Sequence, residues 1–150
     1  MSLLWTPTAD AGELRLDPSF GIKGTAVAPL PGHPLEAGIY DVARDTSGRL
    51  IAAGEIVPRS EGALPAVGMV ATAFQSNGTL DGSFGEAGFV AGFASGATGI
   101  AIQPDDKIVV VGYLNGGYSA DINHKYSAAI ARFNPDGSFD RSFQGGTSSI

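Results

Sequence analysis

The sequence predicts an all-β fold built from antiparallel, four-stranded repeats of about 60 residues. Three observations predict it: motifs that recur in fixed order, turn signals spaced half a repeat apart, and apolar runs with strand rather than helix periodicity. The motifs come first, because an unrecognised repeat misreads the whole fold. "LDPSFG" (Leu16 to Gly21) returns as "LDGSFG" (Leu80 to Gly85) and again as "FDRSFQ" (Phe139 to Gln144), after 64 and then 59 residues. "GRLIAAG", ending at Gly54, matches "DKIVVVG", ending at Gly112, at a spacing of 58. "VATAFQSNGTLD" (Val70 to Asp81) matches "AIARFNPDGSFD" (Ala129 to Asp140) at a spacing of 59. Three landmarks in one order at nearly the same spacing define repeats at about 16–79 and 80–138, with a partial third at 139–150, in a single domain of 150 residues.

The turns divide each repeat in two. Gly48 in "DTSGR" precedes Gly78 in "QSNGT" by 30 residues, and Asp106 in "QPDDK" precedes Gly137 in "NPDGS" by 31. Asn-Gly and Pro-Asp-Gly are hairpin punctuation, since Gly and Asn accept the positive φ that such turns need. The strands lie between them. "GIAIQ" alternates, placing Ile100 and Ile102 on one face of a half-buried strand. "KIVVVGYL" is nearly continuous in apolar residues and predicts a strand covered on both faces. No long segment carries apolar residues at helical spacing, so helix is minor.

Two hairpins per repeat give about four strands per unit, and radial repetition of such sheets is the β-propeller. Ala and Gly in "AIAR", "VATAF" and "IAAG" suit sheets that approach closely. A β-prism, a sandwich and a solenoid remain open on strand count alone.

The order "AIQPDDKIVVVG", then "IARFNPDGSFDRSF", resembles the bacterial delta-60 repeat, which reads close to "LQPDGKIVVAG…ARYNPDGSLDTSFG". The resemblance covers most of the chain, from about Leu16 to Gln144, most clearly Gly85 to Phe143. It implies a β-propeller fold and a large, secreted or surface-associated bacterial protein, and it brings no catalytic residues with it. The sequence departs from the pattern at three places. Thr46 stands where the family has Pro, Asp106 where it has Gly, and Gln144 follows the last "SF" in place of Gly.

Propellers close with about four to eight blades, and this chain holds roughly two and a half. Uncovered faces and edges favour association. The expected partners are therefore further copies of the chain in an oligomer-completed ring, or the remaining repeats of a longer protein. A two-sheet sandwich is the third solution, and "LLWTPTADAGELRL" offers a strand for the unfinished repeat.

Composition narrows the function. Nine basic residues against 15 acidic give a net charge of −6 with no basic stripe, which argues against nucleic acid. With no Cys, disulfides, thiolate metal sites and cysteine nucleophiles are excluded. No apolar run approaches the ~18 residues of a membrane helix, and "MSLLWTPTADAG" lacks the n- and h-regions of a signal peptide. The location expected from the resemblance is extracellular or at the cell surface, with the cytoplasm left open.

"NPDGSFD" offers oxygens from Asn134, Asp136 and Asp140, a faint calcium pattern that lacks the D-x-D-x-D-G spacing. The turn reading is preferred and no cofactor is expected. Asp17, Asp81 and Asp140 recur as Asx-type caps on the following Ser or Phe amide. Phe20, Phe84 and Phe143 recur as plugs between blades. His33 and His124 sit in loops, and "GFASGATG" does not precede a helix, so it is no phosphate loop. Asn77-Gly78-Thr79 matches a glycosylation sequon that its turn position already explains.

The segments that break the repeat are Pro29 to Gly38, Pro58 to Gly68 and Asn115 to Ser127. Variation on repeat scaffolds falls where ligands bind. In the last segment Tyr118, Asp121, His124 and Tyr126 are the residue types that grip sugars or peptides. The leading expectation is a non-enzymatic structural or binding module. The alternatives are a glycan-binding, lectin-like oligomer and a propeller hydrolase with a site at the ring centre, where the inner strands offer only Asp41 and Gln103.

Overall fold

The computed structural model of the chain describes residues 15–29, 36–57, 68–92, 95–115, 126–143 and 147–149. The described residues form eight β-strands in two sheets. The first sheet holds β1 (Glu36–Arg44), β2 (Leu50–Val57), β3 (Gly68–Phe74) and β4 (Phe89–Ala91). The second holds β5 (Gly96–Ile102), β6 (Ile108–Asn115), β7 (Tyr126–Phe133) and β8 (Thr147–Ser149). In both, each strand pairs antiparallel with the next in sequence. No helix among the described residues is long and apolar enough to cross a membrane.

Two units with one strand order and one register make this a partial β-propeller. Even the irregularities repeat. The β1–β2 register shifts between Ile39 and Asp41, and the β5–β6 register shifts at the corresponding place, between Ala97 and Gly99. The bulged residues are thus Tyr40 and Thr98. A close approach follows each bulge. A Cβ on Gly54 would lie 1.8 Å from the Gly38 carbonyl oxygen, and one on Gly112 would lie 1.9 Å from that of Gly96. Only glycine fits there, which explains why "IAAG" and "VVVG" both end as they do.

The core lies between the two sheets. Ile51, Ala53, Met69, Ala71, Ala73 and Phe84 of the first unit pack with Ala97, Ile108, Val110, Ala129, Ala131 and Phe133 of the second. Six alanines at this contact suit sheets that pack closely, and Phe84 and Phe133, both fully buried, are its largest side chains. Ile100 and Ile102 pack together against the same cluster.

One sequence expectation is modified. "KIVVVGYL" is not covered on both faces. Ile108 and Val110 are buried against the first sheet, whereas Val111, on the other face, is 42% exposed. No third sheet among the described residues stacks on that side. The repeat landmark "LDxSF" lies within the first sheet's chain, where Leu80 to Phe84 links β3 to β4. The segment Leu3 to Leu16, offered as a completing strand, lies outside the described residues apart from Arg15 and Leu16.

Candidate functional site

The recurring polar residues gather at the end of the sheets that carries the β1–β2 and β5–β6 turns. Asp81 fixes its own loop: its Oδ1 accepts from the Ser83 amide at 3.2 Å and from the Ser83 hydroxyl at 2.6 Å. Asp17 with Ser19 and Asp140 with Ser142 make the same pair of bonds. A cation then closes on the second oxygen. Arg49, immediately before β2, donates from Nη1 to Asp81 Oδ2 at 3.1 Å and from Nε to Asp45 Oδ2 at 2.7 Å. In the second unit Lys107 Nζ at 2.8 Å and Arg132 Nε at 2.7 Å both reach Asp140 Oδ2. The Arg132 guanidinium also lies 4.6 Å from the centre of the Phe143 ring.

Electrostatics follow the geometry. The Ser83 hydroxyl and Arg49 hold the Asp81 carboxyl below the usual range against an opposing cost of burial. Burial pushes Asp45 up, but its bonds from Arg49 and Ser47 outweigh it and the net direction is down. Burial likewise works to lower Arg49, and its two aspartates override that and raise it. Lys107, Ser142 and Arg132 together drive Asp140 far below the ordinary carboxylate range.

Polar ties also cross between the units. Arg49 Nη2 donates to the Pro135 carbonyl at 2.9 Å, and the Gly85 amide donates to the Asp136 carbonyl at 2.7 Å. Asp41 Oδ2 accepts from the Ile100 amide at 3.0 Å, beside the second bulge. Two departures from the repeat turn out to be partners. The Thr46 amide donates to Asp106 Oδ1 at 3.0 Å, and its hydroxyl to Oδ2 at 2.5 Å. Proline at position 46 would have no N–H to give, and glycine at 106 no carboxylate to receive it. Asp106 holds φ at 60°, where Gly48 in the first unit holds 90°.

At the opposite end, β2 and β6 lead into the segments 58–67 and 116–125. Here the Glu55 carboxylate lies between two phenols. Tyr40 donates to Oε1 at 2.6 Å and Tyr113 to Oε2 at 2.8 Å. Gly96 leaves room for the arrangement, as a Cβ there would lie 2.7 Å from Glu55 Oε2 and 2.9 Å from Tyr113. These positions are not kept between units: Tyr40 corresponds to Thr98, and Glu55 to Tyr113 itself.

The calcium candidates have other bonds. Asp136 Oδ1 accepts from the Ser138 amide at 2.9 Å and hydroxyl at 2.7 Å, and Asn134 Nδ2 donates to the same hydroxyl at 2.9 Å. Asp140 faces two cations, a poor setting for a third. No three His, Asp or Glu side chains gather as a metal-holding group among the described residues. Phe84 is fully buried between the sheets, and Phe20 and Phe143 are half-buried. Tyr126 begins β7, paired with Asn115, while Tyr118, Asp121, His124 and His33 lie outside the described residues.

Sequence reading named the aspartates but missed their cations. The signal was the basic residue at one turn position, "GRL" and "DKI". It also missed Tyr40, Glu55 and Tyr113, which no repeat pattern marks.

A family model described as a domain of unknown function (DUF5122) beta-propeller matches residues 103–143. The match runs from the β5–β6 turn through the third "DxSF" motif and includes Lys107, Arg132 and Asp140. No curated protein matches the chain.

Proposed function

We propose that the chain is a non-enzymatic, architectural segment of a larger β-propeller of the delta-60 repeat type, part of a bacterial secreted or surface protein. One observation carries the reading. The polar residues that recur from unit to unit bond to one another or to the neighbouring unit's backbone, as Arg49 does to Asp45, Asp81 and the Pro135 carbonyl. Such chemistry sets turns and joins sheets. A panel of generic esterase and glycosidase substrates tests the non-enzymatic part. No turnover is expected, and turnover abolished by Asp41→Asn would replace this reading with the ring-centre hydrolase.

A second reading, glycan binding, is favoured by the Tyr40–Glu55–Tyr113 cluster. Two phenols around a carboxylate, at the end where the repeat-breaking segments leave the sheets, offer stacking surface and hydrogen-bond acceptors together. Binding on a glycan array that weakens at least about tenfold in Tyr113→Ala supports it. Silence across the array removes it.

A further inference from the structure

The stretch Leu16 to Val27 repeats the geometry of Leu80 to Ala91 but belongs to no sheet among the described residues. The Phe20 amide donates to the Asp17 carbonyl at 3.1 Å as Phe84 does to Asp81, and Gly24 donates to Phe20 at 2.8 Å as Gly88 does to Phe84. Ile22 and Thr25 bond each other's backbones at 2.7 and 3.2 Å, matching Glu86 and Phe89 at 2.8 and 3.3 Å. The left-handed residues also agree in order: Gly21 at φ 56°, Lys23 at 54° and Gly24 at 89°, against Gly85 at 56°, Ala87 at 54° and Gly88 at 99°. Even the docking contact is shared. Gly21 donates to the Asn77 carbonyl of the following unit at 2.7 Å, as Gly85 does to Asp136.

The two copies part company after that. Phe89, Val90 and Ala91 form β4 and pair with Thr72, Ala71 and Val70. Their counterparts are Thr25, Ala26 and Val27, of which Ala26 and Val27 belong to no ladder. Leu16 is 69% and Val27 64% exposed. Asp17 is exposed too, and among the described residues its carboxylate accepts only from Ser19, whereas Asp81 and Asp140 each face a cation that immediately precedes the second strand of their own sheet.

We propose that Thr25–Val27 is the outer strand of a third sheet, whose three inner strands come from a further unit of this repeat. That unit would carry Lys or Arg at the position held by Arg49 and Lys107, directed at Asp17. The inference rests on the reading of the chain as a segment of a larger propeller. It commits to a repeat unit because the internal copy shows what covers this edge: a strand like β3 and a cation like Arg49. A second molecule of this chain offers no such vacancy, since the outer edges of β3 and β7 are already taken by β4 and β8.

Hydrogen exchange tests it. In the 150-residue chain, the Ala26 and Ala28 amides, which correspond to Val90 and to the Gly92 amide that donates to the Met69 carbonyl, are expected to exchange at the rate of unpaired backbone at every protein concentration. Inserting a second copy of residues 95–138 between Arg15 and Leu16 supplies the missing strands in the order the repeat uses. Both amides should then slow by about a hundredfold or more, and Asp17→Asn should reverse most of that slowing. Fast exchange in a folded insertion protein overturns the proposal. If the insertion does not fold, the unmodified chain still decides. Protection of Ala26 and Ala28 that rises with concentration would assign the edge to a second molecule and overturn it. Glycan binding or turnover would alter the functional reading without moving these amides.

Discussion

The two sheets carry the same scaffold, yet the faces that correspond between them differ sharply in burial. On the first sheet the face toward the second, Ile51, Ala53, Met69, Ala71 and Ala73, is at most 1% exposed. Its counterpart on the second sheet is Val109, Val111, Ala128, Ile130 and Arg132, half-buried or exposed. The difference teaches that a residue's worth here is set by its neighbouring unit rather than by its own strand. The same holds for the polar residues, as Asp81 has its cation and Asp17, among the described residues, does not.

Equivalent substitutions should therefore cost unequal amounts. The largest gap is expected at the plugging phenylalanines. Phe84→Ala should lose about 4 kcal/mol of unfolding free energy, through lost transfer and a cavity that cannot collapse. Phe143→Ala, at a half-buried site under Arg132, should lose about 1–2 kcal/mol. Urea denaturation measures both, and equal losses would break the comparison.

Next comes the cation. Arg49→Ala leaves Asp45 and Asp81 without the counter-charge they share and should cost about 2 kcal/mol, discounted for partial exposure. Acid sharpens the point. Both carboxyls lie below their ordinary pKa in the folded protein, so their stabilisation is complete above about pH 5 and is lost as pH falls through the lowered folded values. Urea midpoints should thus be flat near neutrality and drop below about pH 4, with a smaller drop in Arg49→Ala. A pH-independent midpoint down to about pH 2 would contradict the ion-pair account.

The smallest gap concerns the faces themselves. Ala53→Ser buries a hydroxyl at the sheet contact and should cost about 1–2 kcal/mol, while Val111→Ser should stay within about 1 kcal/mol. Similar values at the two positions would mean that the second sheet's outer face is covered.

Much of this fold was legible in the sequence. Glycines at 48, 78 and 137 marked turns, and the recurrence of "LDxSF" set the period, because turn chemistry is local and repeats with the motif. The burial of individual strands was not legible. "KIVVVGYL" reads as covered on both faces, but coverage depends on a neighbouring unit that no strand encodes in its own composition. The cross-unit ties were hidden for a related reason. Thr46 and Asp106 each look like a lapse from the pattern when read alone, and only folding places one against the other. Glu55, Tyr40 and Tyr113 left no signal at all beyond being unlike their counterparts.

The central claim is that the two units are specified to each other, not merely stacked. A double-mutant cycle on Thr46→Pro and Asp106→Gly tests it most directly, since the double variant restores the residues of the general repeat. The account predicts that the pair costs less than the sum of the single changes, with a coupling of about 1 kcal/mol. Additive losses would show that the contact between the turns contributes nothing, and would contradict it.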